Sequence, residues 1–75
     1  MISQSIDARG LNCPIPVMKA KKGIKGLQTG QILEILSSDP GSARDFDALC
    51  RSTGDKLLSS DNQDDGSYRF VIEKT

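Results

Sequence analysis

Apolar and polar positions alternate in some parts of this chain and follow a helical period in others. Residues 2–8 and 67–74 alternate in the manner of half-buried strands. Residues 31–37 form a nearly continuous apolar run, which predicts a strand that is largely covered on both faces. Residues 56–60 predict a further strand, so the pattern indicates four strands in all.

Two segments between these strands have the period of amphipathic helices. The first helix is predicted to run to about Lys25, with Gly26 as its C-terminal stop. Its predicted core-facing stripe consists of Val17, Ala20, Ile24 and Leu27. The second helix is predicted to start with Asp39 as N-cap and Pro40 at its first position, and to end before Gly54.

The predicted element order is therefore β-α-β-α-β-β. Strands that alternate with helices favour parallel crossovers, and two final strands favour a hairpin. We expect an α+β protein, a two-layer α/β sandwich in which two helices cover one face of a four-stranded mixed sheet. Residues 1–75 are expected to form a single domain, with the other sheet face partly exposed.

Charge is balanced overall but unevenly distributed. Ten basic and ten acidic residues give a net charge of zero, which argues against direct nucleic-acid binding. Residues 1–38 carry five basic and two acidic residues, a sum of +3. Residues 39–75 carry five basic and eight acidic residues, a sum of −3. The first half is thus suited to acidic partner surfaces.

Composition excludes several functional classes. The chain has no His, which rules out Ser-His and Cys-His nucleophile pairs and His-containing zinc sites within it. Its two cysteines lack a Cys-x-x-Cys spacing and cannot form a four-ligand zinc site alone, and two are too few for a disulfide scaffold. We expect no metal site and no cofactor. No apolar run exceeds three residues, so we expect no membrane span or signal peptide, and a reducing, cytoplasmic location.

Cys13 is the candidate for chemistry. It directly precedes the first helix, whose positive dipole end favours a thiolate, and Arg9 could add to that effect. Pro14 and Pro16 stiffen the loop and cost no helical hydrogen bond, because the N–H groups of the first helical turn have no partner within the helix. Together with Gly10 they indicate an exposed turn. Periodicity alone does not decide the role of the Cys13 thiol, which could be a redox sensor, a covalent carrier or inert.

The outer face of the first helix is a candidate docking surface. Ile15 and Met18 fall outside the core stripe, beside Lys22. Docking is favoured for Met18, whereas Ile15 could equally pack under a neighbouring loop. Cys50 instead lies on the apolar face of the second helix and is predicted to pack in the core. That predicted face consists of Ala43, Phe46, Leu49, Cys50 and Thr53.

Residues 7–18 resemble the signature of the TusA/SirA-like sulfur-carrier family, a Gly-Leu-x-Cys-Pro-x-Pro stretch at the start of the first helix. The resemblance continues to Tyr68-Arg69-Phe70 and covers nearly the whole chain. It implies the same sandwich and a sulfurtransferase-type carrier that forms a persulfide on Cys13. The sulfur would come from a cysteine desulfurase or similar donor. It would pass to a downstream acceptor protein, in a relay such as tRNA thiolation, molybdenum-cofactor synthesis or sulfur oxidation.

The resemblance also implies docking positions. Donor docking in the family uses basic positions of the first helix and the Asp before the Pro of the second. Here these positions are Lys21, Lys25 and Asp39, although capping is the favoured role of Asp39. The chain has Ile15 where many members have Glu, and Asp55 where many have His.

A competing hypothesis is a non-catalytic, thiol-containing regulatory or interaction domain. It would bind partners through Ile15, Met18 and Lys22 and through the uncovered sheet face. It predicts that partner binding survives Cys13→Ser but fails in Met18→Asp.

Overall fold

The computed structural model describes residues 2–12 and 14–75. Its elements follow the predicted order. They are β1 (Gln4–Ala8), α1 (Ile15–Lys25), β2 (Ile32–Ser37), α2 (Ser42–Thr53), β3 (Lys56–Asn62) and β4 (Tyr68–Glu73).

The four strands form one mixed sheet in the order β1-β2-β4-β3. β1 pairs with β2 in parallel, and β4 is antiparallel to both β2 and β3. β1, β2 and β3 therefore point in the same direction, and their carboxyl ends meet at one end of the sheet. We call this the loop end; it carries residues 9–12, 38–41 and 63–67.

Both helices pack on the same face of this sheet. α1 lies over β1 and β2, α2 lies over β3 and β4, and the helices contact each other. The core between the layers is built around a tilted pair of rings, Phe46 and Phe70, with centroids 4.6 Å apart. The other buried core residues are Ala8, Ala20, Ile24, Leu33, Ile35, Leu49, Cys50 and Ile72. The predicted α+β, two-layer α/β sandwich is confirmed.

The opposite sheet face carries a polar network. The Ser5 hydroxyl donates to the Glu34 carboxylate at 2.7 Å, and the Arg69 guanidinium donates to its other oxygen. Because both donors favour the ionised carboxylate, the pKa of Glu34 lies below its usual value, with the Ser5 hydrogen bond as the larger cause. Glu34 and Arg69 are half-buried, as expected for a face that the helices leave open.

Element bounds differ from the predictions in two places. α2 begins at Ser42 with Gly41 as its N-cap, so the predicted start at Asp39 and Pro40 is wrong. At the ends of α2, Ala43 and Thr53 are exposed rather than part of the buried face. No helix in residues 2–12 and 14–75 is long and apolar enough to cross a membrane.

The third strand is also longer than predicted. β3 extends to Asn62 because its last residues keep pairing with the start of β4. A bulge shifts the register between Leu57 and Ser59, which leaves Leu58 without a counterpart and 49% exposed.

Candidate functional site

The loop after β1 begins with a tight turn. The Leu11 N–H donates to the Ala8 carbonyl at 3.3 Å, which closes a four-residue turn. Gly10 occupies the third position of this turn with φ 83°. That conformation favours glycine because a Cβ would crowd the backbone, so the Gly10 of the sequence motif has a local structural reason.

A hydrogen bond ties this loop to the next one. The Gly10 N–H donates to the Ser38 hydroxyl at 2.8 Å, across the carboxyl ends of β1 and β2. Because those strands are parallel neighbours, their following loops lie side by side at the loop end. Ser38 thus helps to hold the segment that leads to residue 13 against the rest of the fold.

Arg9 is held by two carboxylates. Its guanidinium lies 2.8 Å from Asp7 and 3.2 Å from Asp65. Hydrogen bonds from the Arg9 side chain and backbone lower the pKa of Asp7 to about 2, and the pKa of Arg9 is raised in turn, chiefly by its hydrogen bond to Asp7. The structure therefore places Arg9 as a clamp between the first loop and the β3–β4 loop.

The β3–β4 loop is itself well organised around Asp65. The backbone N–H and the hydroxyl of Ser67 both donate to the Asp65 carboxylate, at 2.9 and 2.6 Å. These bonds, followed by the contact with Arg9, lower the pKa of Asp65. Two carboxylates then face one guanidinium, so the cluster of Arg9, Asp7 and Asp65 has a net charge of −1 and supplies no net positive field at the loop end.

α1 begins at Ile15, two positions after the predicted thiol. Pro14 is its N-cap, and the Pro14 carbonyl accepts from the Met18 N–H at 3.0 Å. The Ile15 N–H donates back to the Asn12 carbonyl at 2.9 Å, and Pro16 has no N–H to leave unpaired. Pro16 is fully buried, so it anchors the helix start in the core. Cys13 itself lies outside the described residues.

The outer face of α1 brings the predicted docking residues together. Four of them line one surface depression of about 330 Å³: Met18, Lys21, Lys22 and Lys25. We call this set the lysine face. Met18 is 61% exposed, so a large apolar side chain is presented to solvent among three ammonium groups. Ile15 is 44% exposed at the start of the same helix but does not line the depression.

Asp39 lies apart from the lysine face. It lines a separate surface depression before α2, together with Pro40 and Arg44. Its carboxylate accepts from the Gly41 N–H at 3.0 Å, and its carbonyl accepts from the Ser42 N–H at 3.0 Å. Asp39 thus stabilises the turn that leads into the helix, but it does not cap it: the N-cap is Gly41, two residues later, and no side chain of the described residues caps this helix.

Cys50 is enclosed by the core, as predicted from its helix face. The side chain is 5% exposed. Burial, followed by the nearby carboxylates of Asp55 and Asp47, raises the pKa of the Cys50 thiol to about 11. At neutral pH this thiol is protonated and shielded, which makes it a poor nucleophile.

Sequence reasoning did not single out several residues that shape the loop end. Ser38 and Asp65 anchor the first loop, and a buried pair of hydroxyls, Ser37 and Ser42, joins the end of β2 to the start of α2 at 2.6 Å. A signal for Ser37 and Ser38 was available, because polar residues that follow a buried parallel strand collect at one end of the sheet. Asp65 gave no such signal, since its partner Arg9 is 56 residues away.

Comparison with known proteins defines the class to which this fold and loop end belong. The sequence model of the family described as sulfurtransferase TusA matches residues 4–74. A solved structure of a SirA-like protein from Desulfitobacterium hafniense superposes with a TM-score of 0.85 at 28% identity, covering 93% of this chain and 95% of that one.

Two curated relatives narrow the comparison. The chain is 43% identical over 72 residues to the sulfur carrier protein TusA of Allochromatium vinosum, covering 96% of this chain and 93% of the relative. It is 41% identical over 73 residues to a putative sulfur carrier protein of Neisseria meningitidis, covering 97% of each chain. The chain belongs to the TusA family, and the names of these relatives support a sulfur-carrier role.

Proposed function

We propose that this protein carries sulfur as a persulfide on Cys13. The observation that carries the proposal is the contrast between its two cysteines. Cys50 is buried with a raised pKa, which leaves Cys13, two positions before the first residue of α1, as the reactive thiol of a carrier. The match to relatives named as sulfur carriers supports this role.

The proposed transfer conserves atoms and electrons. The Cys13 thiolate attacks the outer sulfur of a donor persulfide, the bond between the two donor sulfurs breaks, and the donor cysteine leaves as a thiolate. The outer sulfur is now bound to Cys13. An acceptor thiolate attacks that same sulfur, and the Cys13 thiolate leaves with its original electron pair. No oxidant or reductant is consumed, so a small relay protein needs no cofactor for these steps.

The donor in this proposal is a cysteine desulfurase or a similar persulfide enzyme. Its acidic surface would dock on the lysine face, where the three ammonium groups surround the exposed Met18. Exposed charges steer association, and an exposed apolar side chain contributes contact area once docked. The acceptor is a further relay protein, and the reducing cytoplasm would keep Cys13 free to react.

Residues 1–75 act in this proposal as one carrier domain, which the core cluster within residues 2–12 and 14–75 supports. Its loop end holds the motif segment in place through three contacts that do not involve the thiol. They are the Gly10–Ser38 hydrogen bond, the Arg9–Asp65 ion pair and the buried Pro16. Such anchoring limits the conformational entropy that the segment loses when it enters a partner's active site.

The test uses a purified cysteine desulfurase, cysteine and intact-protein mass spectrometry. Wild type and Cys50→Ala should each gain the mass of one sulfur atom, and reductant should remove it. Cys13→Ser should gain none. Equal loading of wild type and Cys13→Ser, or loading that depends on Cys50, contradicts the proposal.

Two variants, Met18→Asp and Cys13→Ser, distinguish the carrier from the competing interaction-domain hypothesis. Met18→Asp places a carboxylate on the lysine face while leaving the core untouched, because Met18 is exposed. For a carrier, Met18→Asp slows loading by the desulfurase but not reaction with a small persulfide. An interaction domain would bind its partner equally well after Cys13→Ser, and that binding would not change the amount of sulfur loaded on the protein.

A further inference from the structure

We propose that the outer edge of β1 and the adjoining flank of α1 form a groove that binds an extended acidic segment of a partner protein by strand addition. This surface differs from the lysine face and shares only Lys22 with it. The inference rests on three observations: an unprotected strand edge, a groove beside it that Ile6 and two glycines help to line, and positive charge along one side of that groove.

β1 is an edge strand with unpaired backbone groups. It pairs with β2 on one side, and no strand within residues 2–12 and 14–75 pairs with its other side. The Ser3 N–H points towards β2, where it donates to the Ile32 carbonyl at 2.7 Å. Because this direction alternates along a strand, the backbone N–H and C=O groups of Gln4 and Ile6 point outward.

The two edges of the sheet differ in their protection. β3, at the far edge, contains the bulge at Leu58 and carries Lys56, both of which discourage pairing with another chain. β1 has the sequence Gln-Ser-Ile-Asp-Ala, without Lys, Pro or a register shift against β2. An edge that is left regular and unblocked is suited to pairing with a specific partner strand.

A groove of about 370 Å³ lies beside this edge, between β1 and α1. Its lining residues are Gln4, Ile6, Lys19, Lys22, Gly23 and Gly26. Gly23 is buried where α1 comes close to β1, and a Cβ there would lie 2.9 Å from the Cδ1 of Ile6. The lining thus combines Ile6 and two glycines with the longer side chains of Gln4, Lys19 and Lys22, and the glycines leave room for the alternate side chains of an added strand.

Charge selects an acidic occupant. Lys19 and Lys22 lie on the helix flank of the groove, and none of the described residues that line it is acidic. Asp7, the acidic residue of β1, is engaged by Arg9 at the loop end. A second copy of this chain fits less well, because pairing two β1 edges would bring the lysines of two α1 helices towards each other.

The test follows backbone amides of the full chain by NMR during titration with a short peptide of alternating glutamate and valine. At up to about 1 mM peptide, a concentration suited to weak binding, the amides of Gln4, Ile6 and Gly23 should shift, and those of Gln4 and Ile6 should exchange more slowly. Lys19→Glu should weaken the peptide affinity about fivefold, as expected for replacing an exposed ion pair with a like-charge contact. Lys56→Glu, on the opposite edge, is the matched control and should bind as wild type does.

Several results would overturn the proposal. They are no shift at the highest peptide concentration, shifts outside the groove, equal affinity of wild type and Lys19→Glu, or equal binding of a peptide with lysine in place of glutamate. Shifts of the same amides with protein concentration alone would assign the edge to a second copy instead. Cys13→Ser should bind the peptide normally, so failure of the carrier proposal and failure of this one are distinguishable.

Discussion

The guanidinium of Arg9 lies 3.2 Å from the carboxylate of Asp65 and joins two loops that are 56 residues apart in the sequence. The same guanidinium is also paired with Asp7. The charge of Arg9 alone suggests that it stabilises a thiolate at position 13. In the structure, Arg9 instead fixes the position of the loop, and its positive charge is paired with two carboxylates.

Arg9→Gln should accordingly leave the pKa of Cys13 nearly unchanged. We expect a rise of less than about half a unit, because the lost charge is exposed and solvent weakens its field, even though the two remaining carboxylates then carry −2. Hydrogen exchange of the Gly66 and Ser67 amides should become faster, since the β3–β4 loop loses its tether. The pKa is measured from the pH dependence of alkylation of Cys13 in a Cys50→Ala background. Arg51→Gln, which removes an exposed ion pair with Asp47 in α2, is the control for loss of charge; a rise of a full unit in Arg9→Gln alone would assign Arg9 a direct electrostatic role.

The backbone conformation of Gly10 gives a second prediction. Gly10→Ala should lower the free energy of unfolding by about 1 to 2 kcal/mol, because φ is 83° and an L side chain is strained there. Among residues 2–12 and 14–75, apart from Gly10 and its two chain neighbours, no heavy atom lies within 4 Å of the added Cβ, so the cost there comes from the backbone rather than from a clash.

The control for this variant is Gly26→Ala. Gly26 ends α1 in the ordinary right-handed region, and in the part of the chain that the structure describes its Cβ would approach the Gly23 carbonyl alone, at 3.6 Å. Urea unfolding should show Gly26→Ala at or slightly above wild-type stability. Equal losses in the two variants would mean that strain at Gly10 is not what the motif glycine relieves.

The open sheet face gives a prediction about acid stability. The pKa of Glu34 is lower in the folded protein than in an unfolded chain, so protons bind the unfolded chain preferentially. The stabilising contribution of its contacts is complete above the unfolded value near 4.3 and is lost as the pH falls through the lower folded pKa. Glu34→Gln should therefore be less stable than wild type at pH 7, by about 1 kcal/mol.

The difference in free energy of unfolding between wild type and Glu34→Gln should shrink as the pH falls below 4, because wild-type Glu34 then becomes neutral as well. Urea unfolding at a series of pH values measures this difference. Glu73→Gln is the comparison at a carboxylate of the neighbouring strand, and it should show a smaller effect at pH 7. If the difference in free energy of unfolding between wild type and Glu34→Gln stayed constant with pH, the lost stability would come from altered packing of the side chain and not from its charge.

Much of the fold was predictable because periodicity and turn residues agree along the chain. The hairpin of β3 and β4 follows directly from the pattern. In the predicted core stripe of α1, Ala20 and Ile24 are buried and Val17 and Leu27 are partly buried against the core, while the buried Pro16 and Gly23 lie outside that stripe. The start of α2 was not predictable from its cap residues. Asp39 has the side chain of an N-cap, but it closes a preceding turn with Gly41, and local sequence favours both uses of the same carboxylate.

The candidate site was predictable only in part, for a related reason. Exposure of Met18 follows from its position on the helix, so the lysine face could be read from spacing. The contacts that hold the loop end join residues far apart in sequence, such as Gly10 with Ser38 and Arg9 with Asp65. Periodicity carries no information about these pairs, because they depend on how the strands are ordered in the sheet.

The two cysteines should differ sharply in reactivity. Cys50 is 5% exposed and its pKa is about 11, so alkylation at pH 8 in the native protein should modify Cys13 and leave Cys50 intact. Addition of urea should make both thiols reactive, which mass spectrometry of peptides would show. Native labelling of Cys50 at the rate of Cys13 would contradict the assignment of Cys50 to the core.

The same raised pKa predicts how stability responds to alkaline pH. The folded value for Cys50 exceeds the unfolded value near 8.5, so the unfolded chain loses its proton first. The stability that the neutral, buried thiol contributes is complete below pH 8.5 and is lost as the pH rises towards 11. Wild type should therefore lose more stability than Cys50→Ala between these pH values. Parallel pH profiles of unfolding in the two proteins would show that Cys50 already ionises in the folded state, and that its burial does not protect it.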